Sequence, residues 1–237
     1  MGGLGNRLFQ YCAARAYAEK YGYTLHVPES VLDKIFDIDH PRPTQDLPRL
    51  NEDTANGQEG GLYGYFQNQK SIDLYTRTKA RGWLRFRPEI LDMMSETHRF
   101  PLVIHRRAGD YRALGYPIPS YKSYDNALRE NFREDMGVHL VSDEFPSKAR
   151  KSPNIVIQLQ DEISFLPDFF VMMYADVLFR ANSTFSWWAH VLGRDDQRIF
   201  SPVIDGKGGG EVDCGFVEGN HPKFCELPGI TDLHLAP

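Results

Sequence analysis

Three short polar segments hold the residue types that could do chemistry in this chain, and each follows an apolar run. After "PLVI" comes "HRRAGDY", with His105, Arg106, Arg107, Asp110 and Tyr111. Adjacent arginines at the end of a strand could clamp a diphosphate, because guanidinium is a planar, bidentate donor to phosphate oxygens. After "VHLV" come Ser142 and Asp143, an acid able to accept hydrogen bonds from a base or a ribose. After "DVLFRA" come Asn182, Ser183, Thr184 and Phe185, leading into "SWWAHVLG". Small hydroxyl residues at a helix start offer side-chain and backbone donors to a phosphate. Each segment alone has a plainer reading: a solvated charge pair, a helix cap, and a cap followed by core with Trp187 and Trp188 inside.

A fourth segment opens the chain. "MGGLGNRLFQ" sets a glycine-rich turn, with Gly3 and Asn6, ahead of a helix, where free N–H groups and the helix dipole favour an anion. A dinucleotide site needs a strand in front of that turn, and here only Met1 precedes it. A phosphate-binding kinase loop is a weaker reading, since "GGLGNR" lacks the Gly-Lys-Ser/Thr end that grips phosphate and magnesium.

The elements that must position these residues follow from periodicity and punctuation. A first helix is expected over about Arg7 to Tyr21, capped by Asn6 and ended by Gly22. "YTLHVP" reads as a strand, "HPRPTQDLPRLNEDTANGQEGG" as a long loop, "GLYGYFQNQ" as a strand and "KSIDLYTRTKARGWL" as a helix. In the second half "PLVIH", "VHLVS", "NIVIQL", "DVLFRA" and, last, "RIFSPV" read as strands. They alternate with helices over "YKSYDNALRENFREDMG", "ISFLPDFFVMMYA" and "STFSWWAHVLG". Such alternation predicts an α/β fold with a parallel sheet covered by helices on both faces. A boundary near residue 100 is expected. Ligands of such sheets bind beyond the carboxyl ends of the strands, so the three polar segments fall at one edge and together describe a pocket for a nucleotide diphosphate.

Composition narrows the classes. A net charge of −5 disfavours a nucleic-acid partner for the chain as a whole. Three cysteines make no disulfide framework. Cys214 and Cys225 flank His221, but zinc would want a fourth ligand and tighter spacing, so free thiols are the preferred reading. No basic segment followed by an apolar run marks a signal peptide. The most apolar stretch carries Pro167, Asp168 and Asp176, so no transmembrane segment is expected. A soluble, cytoplasmic or membrane-peripheral protein is the expectation. The sequon Asn182-Ser183-Thr184 leads into an apolar run and is read as part of the site.

Taken in order, "GGLGNRLFQYCAARAYAEKYG", "LYGYFQNQKSI", "HRRAGDY" and "ANSTFSWWAHVLG" resemble the motifs of the alpha-1,2-fucosyltransferases of glycosyltransferase family 11. "VSDE" resembles a family segment between the last two. The resemblance implies a GT-B fold, two Rossmann-like domains facing across a cleft. Residues 1–100 would form a small acceptor-side domain and 101–237 the donor domain. It implies transfer of L-fucose from GDP-fucose to a sugar hydroxyl of an oligosaccharide or glycan, with inversion, no cofactor and no required metal.

Carried over by residue, the resemblance makes Arg107 the arginine that binds the β-phosphate and stabilises the departing diphosphate. His105 would contact GDP, and Asp143 would read the guanine or ribose. Ser183, Thr184 and Phe185 would lie beside the phosphates. Asn6 and the Gly2-Gly3 turn would face the cleft. The sequence departs from the pattern in four ways. Ala108 stands where a second arginine is usual, and Arg106 would point to the opposite side of its strand. Arg7 and Leu8 replace the commoner Gln and Met. The chain is shorter than typical members. It begins inside the glycine-rich turn, so either its start lies upstream or the first sheet lacks an edge.

Asp110, His105 or a donor phosphate oxygen could take the acceptor proton. Tyr111, Tyr116 and Tyr121 could stack on a sugar ring or simply pack. Rival readings are a metal-dependent transferase using Asp37 and Asp39 of "FDIDHP" on the diphosphate, a transferase of another nucleotide sugar, and a non-catalytic nucleotide or sugar binder. A purely structural module would leave the convergence of three polar loops to coincidence.

Overall fold

The computed structural model describes residues 3–132, 136–144, 163–204 and 209–220. The predicted strand at 154–159, together with Gly2, His221 and Cys225, lies outside the described residues. The chain divides into two compact units, Met1–Ser95 and Glu96–Asp232.

In the first unit helices far outweigh strands, and long irregular segments join them. Helix α1 spans Leu4–Tyr21 and buries Leu8, Phe9, Cys12, Ala13 and Ala16. It starts earlier than expected. Gly3 is its extended N-cap and makes no side-chain cap bond, while Asn6 lies inside the first turn with its N–H donating to Gly3 O. Gly22 ends it in the left-handed conformation (φ 74°), as expected for a C-cap glycine. Helix α2 (Leu32–Ile35) follows. Strands β1 (Arg49–Leu50) and β2 (Gly61–Leu62) pair in parallel.

Helices α3 (Gln69–Ile72), α4 (Arg77–Trp83) and α5 (Pro88–Ser95) complete the unit. The single helix expected over 70–84 is broken because Thr76 caps α4, its hydroxyl accepting from Lys79 N. "YTLHVP" is not a strand. Its backbone is tied to loops instead, with Val27 N donating to Pro41 O and Arg42 Nη1 to Val27 O.

"GLYGYFQNQ" leaves the extended conformation after Leu62, because the segment folds around the carboxylate of Glu52. That carboxylate accepts from Phe66 N and Asn68 Nδ2. Phe66 takes φ 53° there, and a Cβ on Gly64 (φ 152°) would sit 2.7 Å from Glu52 Oε1. Helix α1 holds the same loop. Gln10 Nε2 donates to Gly64 O (2.8 Å), and Asn6 Oδ1 accepts from Gln67 Nε2 (2.9 Å).

The second unit is α/β with a mostly parallel sheet. Its elements run β3 (Leu102–Arg106), α6 (Gly109–Leu114), β4 (Pro117–Pro119), α7 (Tyr121–Asn131), β5 (Val138–Ser142), α8 (Leu166–Tyr174), β6 (Val177–Phe179), α9 (Thr184–Leu192), β7 (Arg198–Val203), β8 (Gly210–Val212) and β9 (Gly215–Glu218). The five-stranded sheet has the order β5-β3-β6-β7-β9, and β4 pairs with β8 separately. β5, β3, β6 and β7 run parallel, while β9 lies antiparallel on β7. Thus "RIFSPV" is not the last strand. β8 and β9 fall in glycine-rich, polar sequence with little apolar alternation to mark them.

The apolar runs Leu102–Ile104 of β3 and Val177–Phe179 of β6 read as buried parallel strands, and both strands are buried throughout, His105 and Arg106 of β3 included. Phe179 and Phe200 stack at 4.5 Å, with the edges of Phe132 and Phe216 closing on Phe179 at 5.9 and 5.4 Å. Phe132 also explains why α7 stops before Gly137. It adopts extended geometry at the C-cap and turns its ring into this core. α8 packs on α9 through Phe169 and Phe185 (5.1 Å).

Candidate functional site

The parallel register places the polar segments side by side. Arg106 pairs with Ser142 across β3 and β5, and Ile104 with Phe179 across β3 and β6. The residues that follow each strand therefore emerge at one carboxyl edge.

At the centre of that edge the Arg107 guanidinium sits between two carboxylates. Its Nε and Nη2 donate to the two oxygens of Asp110 (2.9 Å each), and Nε lies 3.1 Å from Asp143 Oδ2. Asp143 is itself anchored, because its Oδ1 accepts from the backbone N–H groups of Ala108 (2.8 Å) and Gly109 (3.0 Å). The approach beside it is tight: a Cβ at position 109 would lie 3.1 Å from Asp143 Oδ2 and would make that carboxylate shift. The start of α6 is thus already filled by a carboxylate of the chain's own. Ser142 shapes the same turn, its hydroxyl accepting from Glu144 N (3.2 Å).

Beside this cluster Ser183 caps α9, its Oγ accepting from Phe185 N (3.3 Å), and Thr184 begins the helix. Tyr111 reaches across from α6 and donates to Asn182 O (2.7 Å). Burial is the main cause that pushes the Tyr111 phenol up to about 12, so it stays neutral. Its ring packs edge-on against Tyr116 (5.1 Å). Asn182 is buried, with its carbonyl covered by Tyr111.

His105 is the penultimate residue of β3, next to Arg106. It is 4% exposed, and its ring lies 6.0 Å from Phe185. Burial first, then the Arg107 and Arg180 charges, lower it to about 3. The imidazole is therefore neutral and a poor proton acceptor, which argues against its use as a base. Its Nδ1 is buried and makes no hydrogen bond among the described residues.

Arg106 does not join Arg107 in a clamp of adjacent arginines, and it lies on the opposite side of its strand, as alternation predicts. It does not turn toward an anion at the sheet edge. Its side chain is fully buried and bonds Glu144 Oε2 (2.9 Å) and Glu211 Oε1 (2.6 Å). Alternation along the strand places it opposite His105, where Tyr121 covers it at 4.2 Å. Arg112 bonds the same two glutamates. The network ties the ends of β3 and β5, helix α6 and strand β8 together.

These pairs hold the Glu144 carboxyl down from 4.5 to about 2, with the Arg112 bond the largest cause. A depressed carboxylate contributes stability that is fully present above its unfolded value and lost as pH falls toward its folded one. Unfolding midpoints should therefore fall between about pH 4.5 and pH 2, and Glu144→Gln should flatten that part of the profile when thermal unfolding is followed by circular dichroism. An unaltered slope in the variant would remove Glu144 from this role.

Gly3 and Asn6 belong to the first unit, in the positions given above. Asp37 and Asp39 lie there too, both exposed. Among the described residues no group of three or more His, Cys, Asp or Glu side chains could hold a metal ion, and no helix is long and apolar enough to cross a membrane.

The sequence reading missed Arg180, Glu144, Glu211 and Arg112. Arg180 closes the apolar run of β6 and is fully buried, with Nε donating to Ser201 Oγ (2.8 Å); burial is the main cause lowering it to about 9. A charge ending an apolar strand was a visible signal. Glu211 was not legible, since it reaches the network only through the pairing of β8 with β4. No family model, curated protein or solved structure matches the chain.

Proposed function

We propose that the second unit binds a nucleoside diphosphate-sugar at the carboxyl edge of β3, β5 and β6, and that the protein is an inverting glycosyltransferase moving L-fucose from GDP-fucose to a sugar hydroxyl. One observation supports the reading most. A half-buried arginine (Arg107), a hydroxyl-capped helix start (Ser183, Thr184) and an acid (Asp143) emerge together from three adjacent parallel strands. Ligands of open α/β sheets bind at such edges, and guanidinium is suited to the charge that grows on a leaving diphosphate. A GT-B architecture, an oligosaccharide or glycan acceptor and independence from metal belong to the same proposal.

A second reading is favoured by the two carboxylates on Arg107 and by Ala108 in place of a second arginine. It is a non-catalytic nucleotide or sugar binder.

Titration calorimetry with GDP, UDP, ADP and GDP-fucose, each with and without EDTA, tests the proposal. GDP and GDP-fucose are expected to bind alone among these, with EDTA without effect. Binding abolished by EDTA would favour a metal-dependent site. Binding with no transfer or donor hydrolysis over hours would favour the second reading. Absence of binding by GDP and GDP-fucose would overturn the donor proposal, and absence of binding by all four would remove the nucleotide form of the second reading as well.

A further inference from the structure

We propose that Asp110 and an incoming diphosphate compete for the Arg107 guanidinium, so that donor binding releases the Asp110 carboxylate to take the proton of the attacking hydroxyl. The inference rests on the donor reading above. It begins from an imbalance, since one guanidinium faces two carboxylates and cannot also neutralise a diphosphate while both remain.

The two carboxylates are not equivalent. Asp143 is 17% exposed and is fastened by two backbone N–H groups. Asp110 is 50% exposed, and both its oxygens accept from Arg107. Asp110 is the more exposed carboxylate, so water replaces its bonds to Arg107 at lower cost than those of Asp143, and it is the partner that yields. Arg107, 35% exposed, is accessible to the replacing anion and stays oriented by Asp143.

Once displaced, the Asp110 carboxylate, on the first turn of α6 and three residues beyond Arg107, has the diphosphate as its neighbour. A like charge nearby makes a carboxylate readier to accept a proton. The carboxylate is thus free of its bonds to Arg107 only when donor is bound. In the transfer step the acceptor oxygen bonds the anomeric carbon, and the bond from that carbon to the β-phosphate oxygen breaks. Its electron pair leaves with the diphosphate, toward Arg107. The acceptor proton passes to Asp110 and then to solvent. No oxidant or metal is needed for the balance.

The test is a double-mutant cycle on GDP affinity by calorimetry. Asp110→Asn keeps the size and removes the charge, and is expected to bind GDP about fivefold more tightly than the wild type. In an Arg107→Ala background the same change is expected to give no tightening. Release of GDP from GDP-fucose, with water as acceptor, should fall at least about a hundredfold in Asp110→Asn.

Equal or weaker GDP binding by Asp110→Asn would overturn competition and make Asp110 an orienting group for Arg107. Tightening that persists without Arg107 would also overturn it, as general charge repulsion. Undiminished GDP release would remove Asp110 as the proton acceptor. If the wild type binds no GDP, the donor reading fails and this inference fails with it, a result distinct from the other three.

Discussion

Arg107→Ala is expected to lower donor turnover on the order of 10²–10³-fold, about 2.7–4 kcal/mol in the barrier, as for loss of a key electrostatic donor. The reason is position. Arg107 follows β3, which lies between β5 and β6, and its head group is held by Asp143, which is in turn fixed by the backbone at the start of α6. A guanidinium held this way does not need to reorganise as charge develops on the leaving group. Lysine at 107 should rescue only part of the loss, because a point charge cannot make the bidentate bonds that guanidinium makes to phosphate oxygens. The measurement is steady-state release of GDP from GDP-fucose, with GDP affinity taken in parallel. Kinetics in Arg107→Ala equal to the wild type would remove the diphosphate from this edge.

The largest effect on stability is expected at Phe179. Its ring is fully buried, stacked on Phe200 at 4.5 Å and closed at the edges by Phe132 and Phe216. Truncation removes a large aromatic from a site whose neighbours come from α7's end, β7 and β9, so the gap cannot collapse without moving the sheet. Phe179→Ala should cost about 3–5 kcal/mol, a large fraction of the roughly 5–15 kcal/mol by which domains are stable. Phe179→Leu should cost clearly less. Urea unfolding monitored by circular dichroism checks both. A midpoint for the alanine variant close to that of the wild type would place the core of the second unit elsewhere.

The two predictions probe different layers of one design. The aromatic core holds β3, β6 and β7 in register, and the register brings Arg107, Asp143 and Ser183 to one edge. A variant that loses the core loses the edge as well, whereas Arg107→Ala should leave unfolding almost unchanged. Measuring both properties on both proteins separates folding from chemistry.

Where the sequence was sufficient, the signal was local. Buried parallel strands appear as short apolar runs, so β3, β6 and β7 could be read from "LVI", "VLF" and "RIF", while β5 could be read from the alternation of "VHLVS". Gly22 marked the end of α1 because a left-handed cap favours glycine, and Ser183 marked the start of α9 because its hydroxyl bonds the first turn. The alternation of strands and helices then fixed the α/β class, and with it the edge where Arg107 emerges.

Only the tertiary structure decided the partners. Arg106 and Arg107 are adjacent and alike in sequence, yet strand alternation buries one between Glu144 and Glu211 and leaves the other at the edge between Asp110 and Asp143. Glu211 lies more than a hundred positions from Arg106 and meets it through a strand too short and polar to recognise. In the first unit, Glu52 pulls "YGYF" out of extended geometry from a distance of 14 residues or so. Periodicity reports which face of an element is apolar. It does not report which distant charge will meet which, because that depends on chain reversals whose geometry is set by packing.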